Sequence, residues 1–196
     1  MKHRLSNDAL KQLFTEARSV NNFLAEPIAQ STILELYELL KWGPTSMNAQ
    51  PARFIFLHSE ASKARLLPSM AAMNVEKTRT APLTVIVAYD TRFYEHLITQ
   101  FPAYDARPMF DSAPVLAQET AFRNGSLQGA YLIAAARSLG LDCGPMNGFD
   151  AAKVDAEFFS GKSWKTNFIV NLGYGDPAGV YPRGPRMQFE QVAEIL

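Results

Sequence analysis

One cysteine, three histidines and no excess of either charge mark this chain of 196 residues. The single thiol, Cys143, excludes an internal disulfide and a cysteine-built zinc cage. His3, His58 and His96 show no metal-ligand spacing. Lys+Arg and Asp+Glu both number 19, so the basic footprint of a nucleic-acid binder is missing. No apolar run has the length of a membrane span. Residues 1–8 lack the apolar core of a secretion signal. The expectation is a cytoplasmic protein that engages neither membrane nor nucleic acid.

What the chain does have is 47% hydrophobic residues, enough for one domain over 1–196 with a real core. Leu10, Leu13, Phe14 and Ala17 recur at helical spacing behind Ser6, Asn7 and Asp8, and this helix should end near Arg18-Ser19. Thr32-x-x-Glu35 has the form of a capping box opening a second helix, which Gly43 and Pro44 end at Trp42. Strands are expected over 53–57, 83–89 and 168–172, the second being strongly β-branched. Ser59 and Asp150 are placed to cap helices reaching 67 and 159, and 70–80 reads as helical. A long helix runs from Pro114 to Leu139; its second half, 125–136, is apolar nearly all round and reads as a buried central helix. Residues 91–114, with three prolines and five aromatics, read as a loop-rich excursion with one short helix, or as a lid. Residues 143–150 read as a turn-rich connection, 173–185 as loop and 189–196 as a short amphipathic helix. Several strands with unevenly distributed helices indicate an α+β domain.

The most informative stretch is the loop between Trp42 and the strand at Arg53. It carries Thr45, Ser46, Asn48 and Gln50, whose small or amide side chains give directional hydrogen bonds without bulk. Held between two rigid elements, such a loop suits a flat polar ligand. Arg18-Ser19 near one end of the chain, and Arg183 and Arg186 near the other, are cations of the kind a phosphate monoester requires. Residues 144–148 can bring backbone N–H groups against a ring, or simply form a tight turn. Gly173-Tyr174-Gly175-Asp176-Pro177-Ala178 matches a dinucleotide fingerprint in letters, but Gly179, Pro182 and Pro185 prevent the helix it needs. Cys143 beside Asp142 has no histidine near it in sequence, and a lone small thiol reads as core.

Pro44-Thr45-Ser46-x-Asn48-x-Gln50-Pro51-x-x-Phe54 resembles the PSxxNxQPWxF signature of the nitroreductase-like flavoproteins, with Ala52 where an aromatic residue is usual. Arg18-Ser19 falls at that family's phosphate motif, with Asn21 in place of its second basic residue. Pro145-Met146-Asn147-Gly148-Phe149-Asp150 is similar to its P-x-E-G-F-D turn, and Gly184-Pro185-Arg186 to its K-P-R element. Residues 119–124, 144–150 and 172–176 are most similar to the RutE-type malonic semialdehyde reductase branch, which belongs to pyrimidine degradation.

The resemblance implies a central mixed or antiparallel sheet flanked by helices, with the long helix buried. It implies FMN held by Arg18, Ser19, Asn21, Ser46, Asn48, Gln50, Pro145, Asn147, Gly148 and Arg186. It also implies a homodimer with FMN at the interface, and ping-pong turnover in which NADPH or NADH reduces FMN and flavin N5 passes the hydride on. No catalytic side chain is then needed, because the flavin carries the chemistry. Malonic semialdehyde, reduced to 3-hydroxypropanoate, is the implied substrate, with Arg53, Arg107 and Arg123 the basic candidates for its carboxylate. Alternatives are a general nitroreductase or quinone reductase, and a flavin-binding protein without turnover.

Overall fold

The structure, a computed structural model, describes residues 3–196. Its centre is strand β2 (Leu83–Asp90), whose eight residues are all buried. Thr84, Val85, Ile86 and Val87 favour extended backbone because their branched side chains pack well on a pleated surface. β2 pairs antiparallel with β1 (Ala52–Leu57) on one side and with β4 (Trp164–Gly173) on the other. β4 pairs antiparallel with β3 (Asp142–Met146), giving the order β1-β2-β4-β3. These pairings realise the antiparallel form of the expected sheet. Among the described residues, the parallel contact is an isolated bridge between Ser19 and Cys143.

The period of two sorts β2 between two helical layers. Leu83, Val85 and Val87 join Val170 and Leu172 on one face, against Leu36 and Leu40 of α2 (Gln30–Leu40) and Leu132 and Ala136 of α7 (Pro114–Ser138). Ile86, Ala88 and Ile169 face the other way, onto Leu66 of α3 (Glu60–Leu66), Val75 of α4 (Ala72–Thr80) and Val154 of α8 (Ala151–Phe158). Burial on both faces removes the polar alternation that a half-exposed strand would show. Each buried Leu, Ile or Val contributes roughly 1.5–3 kcal/mol.

The short-range caps form as the residue types predict. Ser59 accepts from Ser62 N at 3.1 Å, and Asp150 Oδ1 accepts from Lys153 N at 3.2 Å. The Thr32–Glu35 capping box does not form, because α2 starts at Gln30 with Ala29 as its uncapped N-terminal flank. The N-terminal helix is one turn, α1 (Asn7–Leu10), continued as a π-helical turn over Lys11–Thr15. Strand β4 begins at Trp164, four residues before the expected start.

Three expectations change in kind. Residues 142–146 form strand β3 because they pair with 169–173 at the sheet edge, where Pro145 needs no ladder partner on its outer side. The excursion over 91–114 holds more helix than the one expected. A 3-10 turn (Phe93–His96), α5 (Leu97–Gln100) and α6 (Arg107–Asp111) gather around Phe93, Leu97 and Phe110, against Ala117 and Ala121 of α7. The C-terminal helix stops early: α9 spans Phe189–Val192, buries none of its residues, and lacks the tertiary packing that sustains so short a helix.

Helix α7 lies close on the sheet because Gly129 leaves room for the Phe168 ring, which a Cβ at that position would overlap. It is not buried all round. Leu127 and Tyr131 stand 50% and 42% exposed on its outer side. Among the described residues no helix is long and apolar enough to cross a membrane.

Candidate functional site

The residues singled out by sequence fall into two sets. The first gathers at the β3 edge of the sheet. Beyond Met146 the chain turns through Asn147-Gly148-Phe149, with Phe149 N bonded to Asn147 O at 3.0 Å. Gly148 O accepts from Ala71 N at 2.9 Å and from Asn74 Nδ2 at 2.8 Å. A Cβ there would overlap the Asn74 amide, so glycine leaves room for that bond. Asn74 and Lys77 lie one turn apart on α4, and so share a face. That helix is tied to the sheet through polar groups. Thr84 Oγ1 donates to Asn171 Oδ1 at 2.8 Å, and Asn171 Nδ2 donates to Lys77 O at 3.0 Å.

The segment before α2 runs along the outer side of β3. Val20 N bonds Cys143 O at 3.0 Å, which brings Arg18, Ser19 and Asn21 beside the turn. Lys77 Nζ donates to Asn21 Oδ1 at 3.2 Å. Arg18 donates to Tyr181 O, and Arg183 Nη2 to Ala17 O at 3.3 Å, so the strand-to-tail connection passes here too. Arg186 is exposed and turned onto its own segment, donating to Gly184 O and Pro185 O at 3.1 Å. The first set is therefore Arg18, Ser19, Asn21, Pro145, Asn147 and Gly148, joined by Asn74 and Lys77, with Arg186 three residues beyond the Arg183 that reaches Ala17. Ser19, Pro145 and Asn147 are exposed. Cations, a hydroxyl and an exposed turn together offer donors to an anionic group and to the edge of a flat ring.

The second set is the loop before β1. Met47, Asn48 and Gln50 have φ of 52°, 49° and 42°, three left-handed non-glycine residues within four positions. Such conformations cost roughly 1–3 kcal/mol each and persist where the surroundings over-determine them. Here α7 does much of that. Its buried Asn124 accepts from Ser46 N at 2.8 Å, and its buried Gln128, one turn on, accepts from Ala52 N at 2.9 Å. Thr45 Oγ1 accepts from Gln50 N at 3.1 Å, Gln50 Nε2 donates to Asn48 Oδ1 at 2.9 Å, and Asn48 Nδ2 donates to Gln100 O at 3.0 Å. Ser46 and Asn48 remain exposed.

The two sets lie at opposite edges of the sheet. Three strand spacings separate β1 from β3, about 14 Å. Ala52 pairs in the row of Tyr89 and Lys165, while Met146 lies in the row of Ile169, Ile86 and Ile55. That offset of three residues adds about 10 Å along the strands. The residues that the resemblance implies for one FMN are thus divided within one chain.

Other candidates are settled by their surroundings. Cys143 is buried, and burial pushes its thiol up to about 12, so it is core and not a nucleophile. Among the described residues no group of His, Cys, Asp and Glu could hold a metal ion. Each arginine proposed for a carboxylate already has an acidic partner: Arg53 with Asp90 at 2.7 Å, Arg107 with Asp105 at 2.7 Å and Arg123 with Glu119 at 2.8 Å. The last two pairs are exposed and hence weak.

The Nitroreductase family profile matches residues 15–174. The chain belongs to the nitroreductase family. A protein of Stenotrophomonas maltophilia (strain R551-3), provisionally named NADH dehydrogenase/NAD(P)H nitroreductase, is 55% identical over 195 residues, with both chains covered in full. A similarly named protein of Xanthomonas oryzae pv. oryzae (strain PXO99A) is also 55% identical over 195 residues, again with both chains covered in full. Among solved structures, a provisionally named nitroreductase of Exiguobacterium sibiricum in complex with FMN has a TM-score of 0.84 at 21% identity, with both chains covered in full. One from Bacillus subtilis (ydfN) has a TM-score of 0.86 at 21% identity, covering 97% of this chain and 100% of that one. The fold is that of the nitroreductases.

Sequence reasoning missed Asn74, Lys77, Asn124 and Gln128. Asn74-x-x-Lys77 is an i,i+3 pair in a segment that otherwise reads as a solvated helix end. Asn124 and Gln128 are an i,i+4 amide pair in the long helical pattern. Buried amides at that spacing call for backbone partners.

Proposed function

We propose that this chain is an FMN-dependent NAD(P)H oxidoreductase that works as a homodimer. The observation that carries it is the pair of donor sets at opposite sheet edges, each built for part of one flat, anionic ligand. Arg18, Ser19, Lys77 and Arg183 fit a phosphate; the Asn147-Gly148 turn, Asn74 and the Ser46–Gln50 loop fit the edges of a polar ring. When bound, FMN supplies the two-electron chemistry, and the chain supplies binding and orientation. Exposed backbone at Asn147-Gly148 would donate to the ring. The rigid Ser46–Gln50 loop would fix its tilt and exclude water from one side.

A second copy supplies what one chain lacks, since it can present its own Ser46–Gln50 loop to the first copy's β3 edge. The surface supports this reading. The outer side of α7 exposes Phe122, Leu127 and Tyr131, and Trp42 is exposed at the end of the loop-bearing helix. Among the described residues no strand covers the outer edge of β1, beside which lies a groove of ≈ 490 Å³ lined in part by Leu40, Phe54 and Phe56. The tail leaves Met187, Phe189, Val192 and Ile195 exposed.

For substrate we propose a short aldehyde acid, malonic semialdehyde, on the resemblance of residues 119–124, 144–150 and 172–176. Arg123 is the best placed of the three arginines, adjacent to the Asn124 that holds Ser46 and released from Glu119 at little cost. A general nitroreductase is the second reading. It is favoured by the ion pairing of all three arginines and by the names of the relatives. The test is anaerobic: purified protein with FMN is reduced by NADPH or NADH, then reoxidised by malonic semialdehyde, propanal, a nitroaromatic and a quinone. A higher kcat/KM for the acid than for propanal supports the carboxylate clamp. Equal values remove it, and faster nitroaromatic or quinone turnover selects the second reading. Failure to take up FMN removes both.

A further inference from the structure

We infer that Arg53 is a positioning residue for the loop that meets the flavin, acting through Gln50. The inference rests on the FMN reading above. Three of the five N–H donors of its guanidinium are engaged within the chain. Nη1 donates to Gln50 O and to Ala52 O, both at 2.9 Å, and Nη2 donates to Asp90 Oδ2 at 2.7 Å. The pair is sheltered, with the Arg53 side chain 19% and the Asp90 side chain 5% exposed. Asp90 is itself satisfied: Oδ1 accepts from Ser163 Oγ at 2.6 Å and from Arg92 N at 2.9 Å. A sheltered ion pair holds its geometry when further hydrogen bonds brace both partners in this way.

The consequence falls on Gln50, at φ 42°. Its backbone N–H is held by Thr45 Oγ1 and its carbonyl by Arg53, so both of its main-chain polar groups are fixed by side chains. Its amide then holds Asn48 Oδ1 at 2.9 Å. Position therefore passes from Asp90 to Arg53, to the Gln50 backbone, and to the exposed amide of Asn48. The excursion after β2 joins this chain twice, through Arg92 N on Asp90 and through Gln100 O on Asn48 Nδ2. The planar fork takes two carbonyls with one nitrogen and turns the other to a carboxylate, whereas a lysine would have to serve all three from one nitrogen. A lysine keeps the charge and loses the span.

Arg53→Lys and Asp90→Asn test this, with wild type alongside. In the apoprotein, amide hydrogen exchange over 46–52 should quicken at least tenfold in Arg53→Lys while the melting temperature stays close to wild type. FMN titrated into the apoprotein should bind at least tenfold more weakly, and the visible bands of the bound flavin should shift. In turnover, kcat should fall for acid, neutral and nitro substrates alike. Asp90→Asn should reproduce the exchange and binding effects in weaker form. Wild-type exchange together with wild-type FMN affinity in both variants would overturn the inference, as would a rise in KM confined to carboxylate substrates. A wild-type chain that binds no FMN would remove the cofactor reading, while the exchange measurement still decides whether Arg53 fixes the loop.

Discussion

Lys77 Nζ donates to Asn21 Oδ1 at 3.2 Å, joining helix α4 to the segment that runs beside β3. By the resemblance, position 21 answers to the second basic residue of the family's phosphate motif, and this chain has an amide there instead. The cation beside that amide comes from α4, a separate element. Lys77→Met should weaken FMN binding by about 1.5–3 kcal/mol, the scale of a charge-assisted hydrogen bond. Arg186→Ala should cost less, because Arg186 is turned onto its own carbonyls. Calorimetric titration of each apoprotein with FMN checks the ranking, and a larger loss in Arg186→Ala would reverse it.

Gly148→Ala should loosen the turn after β3. The added methyl overlaps Asn74 Nδ2, so either the turn or the amide must move, at the roughly 1–3 kcal/mol typical of overpacking. The loss should be smaller in an Asn74→Ala background, since the clash goes with the side chain. Urea unfolding of wild type, both single variants and the double variant measures this, and an equal loss in both backgrounds would show that the crowding lies elsewhere.

Cys143 gives a pH signature. Burial raises the folded thiol from its usual 9.0 to about 12, so the folded state keeps its proton where the unfolded state has lost it. That contribution to stability is complete below pH 9.0 and is lost as the pH climbs toward 12. Lys and Tyr side chains titrate in the same range, so the readout is a difference. Wild-type stability minus Cys143→Ala stability should decline across this window, and a flat difference would mean that the thiol is not sheltered in solution.

Light scattering at low micromolar protein should give twice the 21.8 kDa chain mass. Removing residues 187–196, which carry Met187, Phe189, Val192 and Ile195 into solvent, should shift the population toward monomer and lower FMN uptake with it. A truncated chain that stays dimeric would restrict the contact to α2 and α7.

Local chemistry accounts for what was legible in the sequence. β2 announced itself because four β-branched residues in a row suit a strand buried on both faces. Ser59 and Asp150 capped where expected because a cap involves residues three apart. The amide loop was legible from composition, though nothing in it signalled the three left-handed residues or the amides of α7 that hold them. Strand β3 was hidden because Asp-Cys-Gly-Pro-Met has no strand preference of its own, and only pairing with β4 extends it. Lys77 was hidden for the opposite reason: a polar helix end is the usual appearance of a solvated face, and its partner lies 56 residues earlier. Arg53 was legible as a cation near the site, but the carbonyls it binds are decided by a backbone conformation that the sequence does not display.

Because Asn48 and Lys77 lie at opposite edges of one sheet, defects in them should complement each other between chains. A site shared by two copies takes the loop from one and the α4 face from the other. An Asn48→Ala chain and a Lys77→Met chain would each form dimers in which both sites are impaired. Refolded together in equal amounts, about half of the dimers should contain one chain of each kind, and one of the two sites in every such dimer would have no lesion. Flavin uptake and turnover in the mixture should therefore recover to about a quarter of the wild-type level, a result that no arrangement of the whole site within one chain can produce.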